Sequence, residues 1–428
     1  MNRKAVRSWI LYDWANSAFV TTMVAAVLPI FYADVAAAGL PDYLKTSYWG
    51  YTQTIGMVLV ALSAPLLGSI ADVSGYKLRF LRIFAYVGVL ASAAFVLVGE
   101  GDYLLASALF IAGTIGFSGG NTFYDSMLTD LVPEEKRDMV SSKGYSYGYL
   151  GGGLLLALNL LMIMQPGWFG LRSSTEGTYL AFLSVALWWF VFSLPIFRHV
   201  APLLPKPKEA KLFPRYAADG VARLRRTFRE IKRYPELLKY LIAFWLFNDG
   251  INTVITMATI YGATIGIGST DLIAALLITQ FVGFPFTLLL GRAAEKIGSK
   301  PALYLSLAVY VVIITLGFFM ETALHFYILA VIVGMVQGGS QAIARSIFSR
   351  LVPKAQSAEF FGFLSVSSKL SSSFGPFVFG VVGQVFQSSR HGILALLLFF
   401  IGGIGMLTTV NLNRGHEQAE AADRSLII

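Results

Sequence analysis

Asp13 and Asn16 lie three positions apart in an apolar segment, and Asp249 and Asn252 repeat that spacing in another. On a helix, residues so spaced share a face. A carboxylate inside an apolar helix costs about 2.5–3.5 kcal/mol on insertion scales, so it normally faces a cavity or a partner. Asp249 stands about eleven residues into its segment, roughly 16 Å at the rise of an α-helix, whereas Asp13 is nearer an end. Two such carboxylates could bind a substrate amine or take a proton. The alternative is that they brace local backbone or neighbouring helices. Lys369 is the deepest cation, with Ser365, Ser372 and Ser373 at i−4, i+3 and i+4. That face should meet water, a substrate carboxylate or an acidic partner.

The elements that must carry these groups are apolar and long. The chain has 428 residues, of which 56% are hydrophobic and 13% charged, against about a quarter charged in ordinary soluble domains. Mean hydropathy is +0.66. A spanning helix needs about 20 apolar residues. Such segments recur near 9–33, 48–70, 82–99, 103–128, 144–164 and 179–197. They resume near 238–265, 271–291, 302–320, 325–346, 360–386 and 392–410. The expectation is therefore an all-α membrane protein of twelve transmembrane helices. An N-terminal bundle would occupy 1–197, a cytoplasmic linker 198–237, a C-terminal bundle 238–412 and a cytoplasmic tail 413–428.

Charge sets the orientation. With both termini cytoplasmic, thirty of the thirty-three Lys and Arg face inward, and only Lys45, Arg172 and Arg390 lie in outer loops. Cytoplasmic loops of membrane proteins carry such an excess. The net charge of +9 thus faces cytoplasm and anionic headgroups, not nucleic acid. Within the linker, Val221, Leu224, Phe228 and Ile231 alternate with Arg and Lys in the pattern of an interfacial helix.

The two halves repeat. Gly68, Asp72, Gly75 and Lys77, followed by Arg79, are matched by Gly291, Glu295, Gly298 and Lys300. Both runs read G-x-x-x-acid-x-x-G-x-K. Leu131-Val132-Pro133 is matched by Leu351-Val352-Pro353, and the same offset aligns Asn121 with Gln341 and Asp125 with Arg345. Parallel six-helix repeats of this kind build one large transporter fold. Asn121 and Gln341 join the candidate substrate or coupling residues. Asp125 and Arg345, opposite charges near the cytoplasmic mouth, are candidates for a gate; separate pairing within each half is the alternative.

The loop after the second span resembles the signature loop of the major facilitator superfamily. The opening YDWANSAF at Tyr12–Phe19 resembles the branch containing the vacuolar amino-acid effluxers of fungi and their bacterial relatives. FNDGINT at Phe247–Thr253, AEFFGF at Ala358–Phe363 and the following SSKLSSSFGP strengthen the match. The resemblance covers the whole chain. It implies two pseudo-symmetric six-helix bundles, export of a small solute such as an amino acid, and a role for Asp72 and Arg79 in stabilising one state of the carrier. Short outer loops and the absence of an N-x-S/T sequon favour a bacterial inner membrane. A channel or lipid translocase of the same fold is the rival reading, and proton coupling stays open.

An enzyme is not expected. Tyr12-Asp13 and Gly99-Glu100-Gly101-Asp102 superficially resemble intramembrane aspartyl protease motifs, but they fall at opposite membrane faces. A carboxylate dyad must share a proton at about 3 Å. His199, His325, His391 and His416 sit at span ends or in the tail, and there is no cysteine. Thiolate, zinc-cysteine and nucleotide motifs are missing, so no cofactor is expected. The partners expected are a small-molecule substrate, the lipid bilayer and, if coupled, protons; a monomer suffices.

Overall fold

The computed structural model describes residues 2–73, 77–131, 134–201, 222, 225, 229–353, 360, 363–364, 367–369 and 371–427. Among them every regular element is helical. In chain order these are α1 (Arg3–Ala36), α2 (Asp42–Val73), α3 (Lys77–Ala94), α4 (Tyr103–Leu131), α5 (Glu134–Met164) and α6 (Ser174–His199). The second series is α7 (Pro235–Thr264), α8 (Ser269–Ile297), α9 (Ser299–Phe318), α10 (Ala323–Leu351), α11 (Phe374–Val385), α12 (Ser389–Thr408) and α13 (Leu412–Ile427). Ten of the described helices are long and apolar enough to cross a membrane. The expected second span corresponds to α2, and α11 lies within the expected eleventh.

Helix ends follow local chemistry. The Asn2 side chain accepts from the backbone N–H of Lys4 and Ala5 and starts α1. Ser173 caps α6 through the Glu176 N–H, while the Glu176 carboxylate reaches back to Arg172 N–H at 2.7 Å. Gly298, the second glycine of the repeated motif, has φ +94° and ψ 149°, a region open almost only to glycine. It lets the chain leave α8 and enter α9 directly. Its counterpart Gly75, the side chains of Asp72 and Glu295, and most of the 198–237 linker lie outside the described residues. Lys77 is half-buried and Arg79 exposed at the start of α3.

The chain divides into two compact units. One holds Met1–Pro41, Ile55–Val221 and Gly268–Leu277; the other holds Asp42–Thr54, Ala222–Ile267 and Ile278–Ile428. The division departs from the sequence halves at two segments, the start of α2 and the start of α8, which are equivalent places in the repeat.

In the first unit, α1 packs on a glycine face of α5. A Cβ at Gly148 would lie 2.5 Å from Ser17 Oγ, and one at Gly151 would lie 2.9 Å from the Trp14 carbonyl. Such small residues let membrane helices approach closely. α1 also carries π-helical stretches at Phe19–Ala26 and Tyr32–Ala36. Within the first, buried Thr22 accepts from Asn159 Nδ2 at 2.9 Å, and Asn159 Oδ1 accepts from Ser184 at 2.7 Å. This chain of hydrogen bonds satisfies polar groups that would otherwise be costly at that depth.

In the second unit, the first three turns of α2 join α11 and its neighbours. Ser47 Oγ donates to the Gly380 carbonyl at 2.7 Å, Tyr51 to Gln384 at 2.6 Å and Thr54 to the Ser373 carbonyl at 3.0 Å. Thr46 pairs with Ser389 at 3.0 Å. Gly50 permits the approach, since a Cβ there would lie 2.5 Å from the Pro376 carbonyl oxygen.

Candidate functional site

In the first unit, the Asp13/Asn16 face of α1 meets α4. Tyr124 Oη donates to Asp13 Oδ2 at 3.0 Å, and Asn16 Nδ2 donates to Asn121 Oδ1 at 2.7 Å. Both members of each pair are three residues apart on antiparallel helices, so the two bonds stand in register as rungs. Trp9 adds a third contact: its indole N–H donates to the Tyr124 carbonyl at 3.0 Å, and its ring stacks on Tyr124 with centroids 4.4 Å apart. Asn16 is buried and Asp13 half-buried. Gly144 of α5 lies against the Asp13 carboxylate so closely that an added Cβ would overlap Oδ2.

In the second unit, the same motif turns to a different partner. Asp249 Oδ2 accepts the Gly375 N–H at 2.8 Å, and Asn252 Nδ2 donates to Ser372 Oγ at 3.2 Å. These too are antiparallel rungs three residues apart. Their partner is the break between a turn at Ser372–Ser373 and the start of α11. A carboxylate here answers an otherwise unpaired N–H at a helix N-terminus and favours the positive end of its dipole. Thr253, one turn on, donates to the Asp249 carbonyl at 2.7 Å. Trp245 Nε1 donates to Ser367 Oγ at 3.1 Å, one turn before. Asp249 is 1% exposed, and among the described residues its Oδ1 has no hydrogen-bond partner.

The remaining sequence candidates are placed as follows. Lys369 is half-buried beside Ser367, Ser368 and Ser371. Ser372 and Ser373 form a turn before α11 in which the Ser372 N–H still donates to the Ser368 carbonyl at 2.9 Å, and Ser365 lies outside the described residues. Gln341 and Arg345 are exposed on α10, and Asp125 is exposed on α4. The hydroxyl partner Tyr124 and the start of α2 were not singled out in the sequence. Thr46, Ser47, Tyr51 and Thr54 do recur at helical spacing, and that hydroxyl face was a readable signal.

Long apolar helices in two units, with the same carboxylate–amide spacing on the first helix of each half, are the architecture of a multi-pass membrane transporter of the major facilitator type. Comparison with known proteins agrees. The chain matches 36% of residues over 95% of its length, and 95% of the relative's, with the uncharacterized MFS-type transporter YxiO of Bacillus subtilis. Autophagy-related protein 22 of Eremothecium gossypii is 23% identical over 97% of this chain and 92% of its own. The crystal structure of the nucleoside transporter NupG shares the fold, with a TM-score of 0.64 at 13% identity over 97% of this chain and 98% of that one. The model of the family described as vacuole effluxer Atg22 like matches residues 41–420. The chain belongs to that family.

Proposed function

We propose that the protein exports a small zwitterionic solute, an amino acid or a close analogue, by alternating access. The observation that carries this reading is the buried Asp249, which holds the N-terminus of α11 with one oxygen while the other has no hydrogen-bond partner among the described residues. A carboxyl group in that position can exchange a proton or a substrate ammonium for its backbone contact, and either exchange changes how firmly α7 grips α11. Substrate can shift an equilibrium between two states only by its differential affinity for them. A group that either grips a helix or binds a ligand supplies such a difference. Lys369, on the segment leading into that break, is assigned the substrate carboxylate.

Proton coupling through Asp249 and a bacterial inner membrane location are part of the same proposal, as are cytoplasmic termini. The orientation rests on the inward bias of Lys and Arg. Reporter fusions at the C-terminus and after Phe169 should report opposite sides of the membrane. The same side for both would contradict this topology. The solute class is tested by thermal-shift measurement of detergent-purified protein against amino acids, peptides, sugars, nucleosides and lipids. Stabilisation by amino acids alone is the expected result. Stabilisation only by lipids would favour a lipid translocase, and only by sugars or nucleosides would replace the zwitterion.

A further inference from the structure

The C-terminal segment reads as a polar tail in sequence, yet residues Leu412–Ile427 form a helix of 16 residues. Isolated helices of that length are marginal in water. Its order must come from what it packs on, and α13 packs on α7 and α10. Gly415 and Ala419 form the buried line, while Asn413, Arg414, His416, Glu417 and Glu420 are exposed. An added Cβ at Gly415 would overlap the Leu351 side chain and lie 3.1 Å from Glu236 Cβ. The outward face is too polar for lipid, so α13 covers protein.

At the root of this helix lies a closed set of charged contacts. Glu236, in the first turn of α7, is 2% exposed. Its Oε2 accepts the Asn411 N–H at 2.8 Å, immediately before α13, and its Oε1 accepts from Lys239 Nζ at 2.8 Å. Lys239 also donates to the Thr409 carbonyl at 3.3 Å. Lys300, the last residue of the repeated G-x-x-x-acid-x-x-G-x-K motif, donates to the Val410 carbonyl at 2.6 Å and the Thr408 carbonyl at 3.5 Å. These carbonyls end α12, where acceptors lack helical partners and cations are favoured. Asn411 Oδ1 accepts the Arg414 N–H at 3.1 Å, and His416 Nδ1 stands 3.3 Å from the Arg350 carbonyl at the end of α10. One buried carboxylate and two lysines therefore tie the adjoining ends of α7, α9 and α12 to the chain that starts α13, and His416 and Gly415 of α13 add the end of α10 through Arg350 and Leu351.

We propose that α13 is a clamp, with Glu236 as its positioning residue, that makes these four helix ends open and close as one body. A carrier built from moving helices needs such ends to move together, because a helix that slipped alone would dissipate the motion that substrate binding sets off. Undocking α13 would cost Glu236 its hydrogen bond from the Asn411 N–H, so that contact favours the docked state.

Hydrogen–deuterium exchange on the intact detergent-purified chain tests this without any knowledge of the substrate. Amides in 236–242, 300–304, 347–351, 406–410 and 415–420 should open with one common free energy, as a cooperative unit does. Glu236→Gln should accelerate exchange in all five segments together by about tenfold or more, the scale of one charge-assisted hydrogen bond, and leave 103–125 unchanged. If that variant does not fold, Gly415→Leu, which wedges α13 off Leu351, should produce the same joint acceleration. Widely different opening energies in the wild-type chain would overturn the proposal, as would acceleration confined to 411–427.

Discussion

Asp249→Asn is expected to reduce transport to about a hundredth of the wild-type rate or less, equivalent to about 2.7 kcal/mol or more on the barrier. The substitution keeps the shape of the side chain, and the amide oxygen can still accept the Gly375 N–H now held at 2.8 Å. The cap on α11 therefore survives, while the ability to carry charge or a proton is gone. Asp249→Ala separates the two roles from the other direction. It removes the cap as well, and should lower stability by about 0.5–2 kcal/mol in addition to abolishing transport. Initial rates in proteoliposomes together with thermal unfolding of both variants distinguish these effects. Wild-type transport by Asp249→Asn with an unchanged pH dependence would leave Asp249 as a helix cap and remove it from the transport chemistry.

Lys369→Ala should be nearly as damaging, but selectively. A hydrogen bond to a charged group contributes about 1.5–3 kcal/mol, so losing the partner of a substrate carboxylate should weaken binding by about 10–150-fold. The loss should be large for a zwitterionic amino acid and small for the corresponding amine, which lacks the carboxylate. Lys369→Arg should restore part of the difference because it keeps the charge. Competition by the amino acid and by the amine against labelled substrate checks this. Equal weakening for both would mean that Lys369 supports the fold of this segment and does not touch the carboxylate.

Membrane helices were legible because their signals are one-dimensional. Apolar runs of spanning length, a basic bias and a repeated loop motif are all read along the chain, and they led to the fold. The symmetric Asp-x-x-Asn pairs were legible for the same reason. Their partners were not. The repeat suggests equivalent surroundings for Asp13 and Asp249, yet Asp13 pairs with Tyr124 of α4 while Asp249 pairs with a backbone N–H at α11. That divergence depends on the turn at Ser372–Ser373, which exposes an N–H at the depth of Asp249. SSKLSSSFGP reads as one helical face through Lys369, and the cluster of serines before Phe-Gly-Pro, which competes for backbone hydrogen bonds, is where the turn falls. The docking of the tail is hard to read along the chain for another reason. α13 is polar by composition, and only the small residues Gly415 and Ala419 mark the line along which it docks.

The most direct test of the central claim is counterflow in proteoliposomes made with the purified wild-type chain. Vesicles are loaded with unlabelled alanine and diluted into a trace of labelled alanine, and the experiment is repeated with the other neutral amino acids. A carrier that exposes one site alternately to each side should drive a transient, saturable accumulation of label above its equilibrium level for at least one of them. Asp249→Asn vesicles should show none. Linear, unsaturable equilibration of label would describe a channel, and movement of a labelled phospholipid with no amino-acid counterflow would describe a lipid translocase; either result would contradict the account.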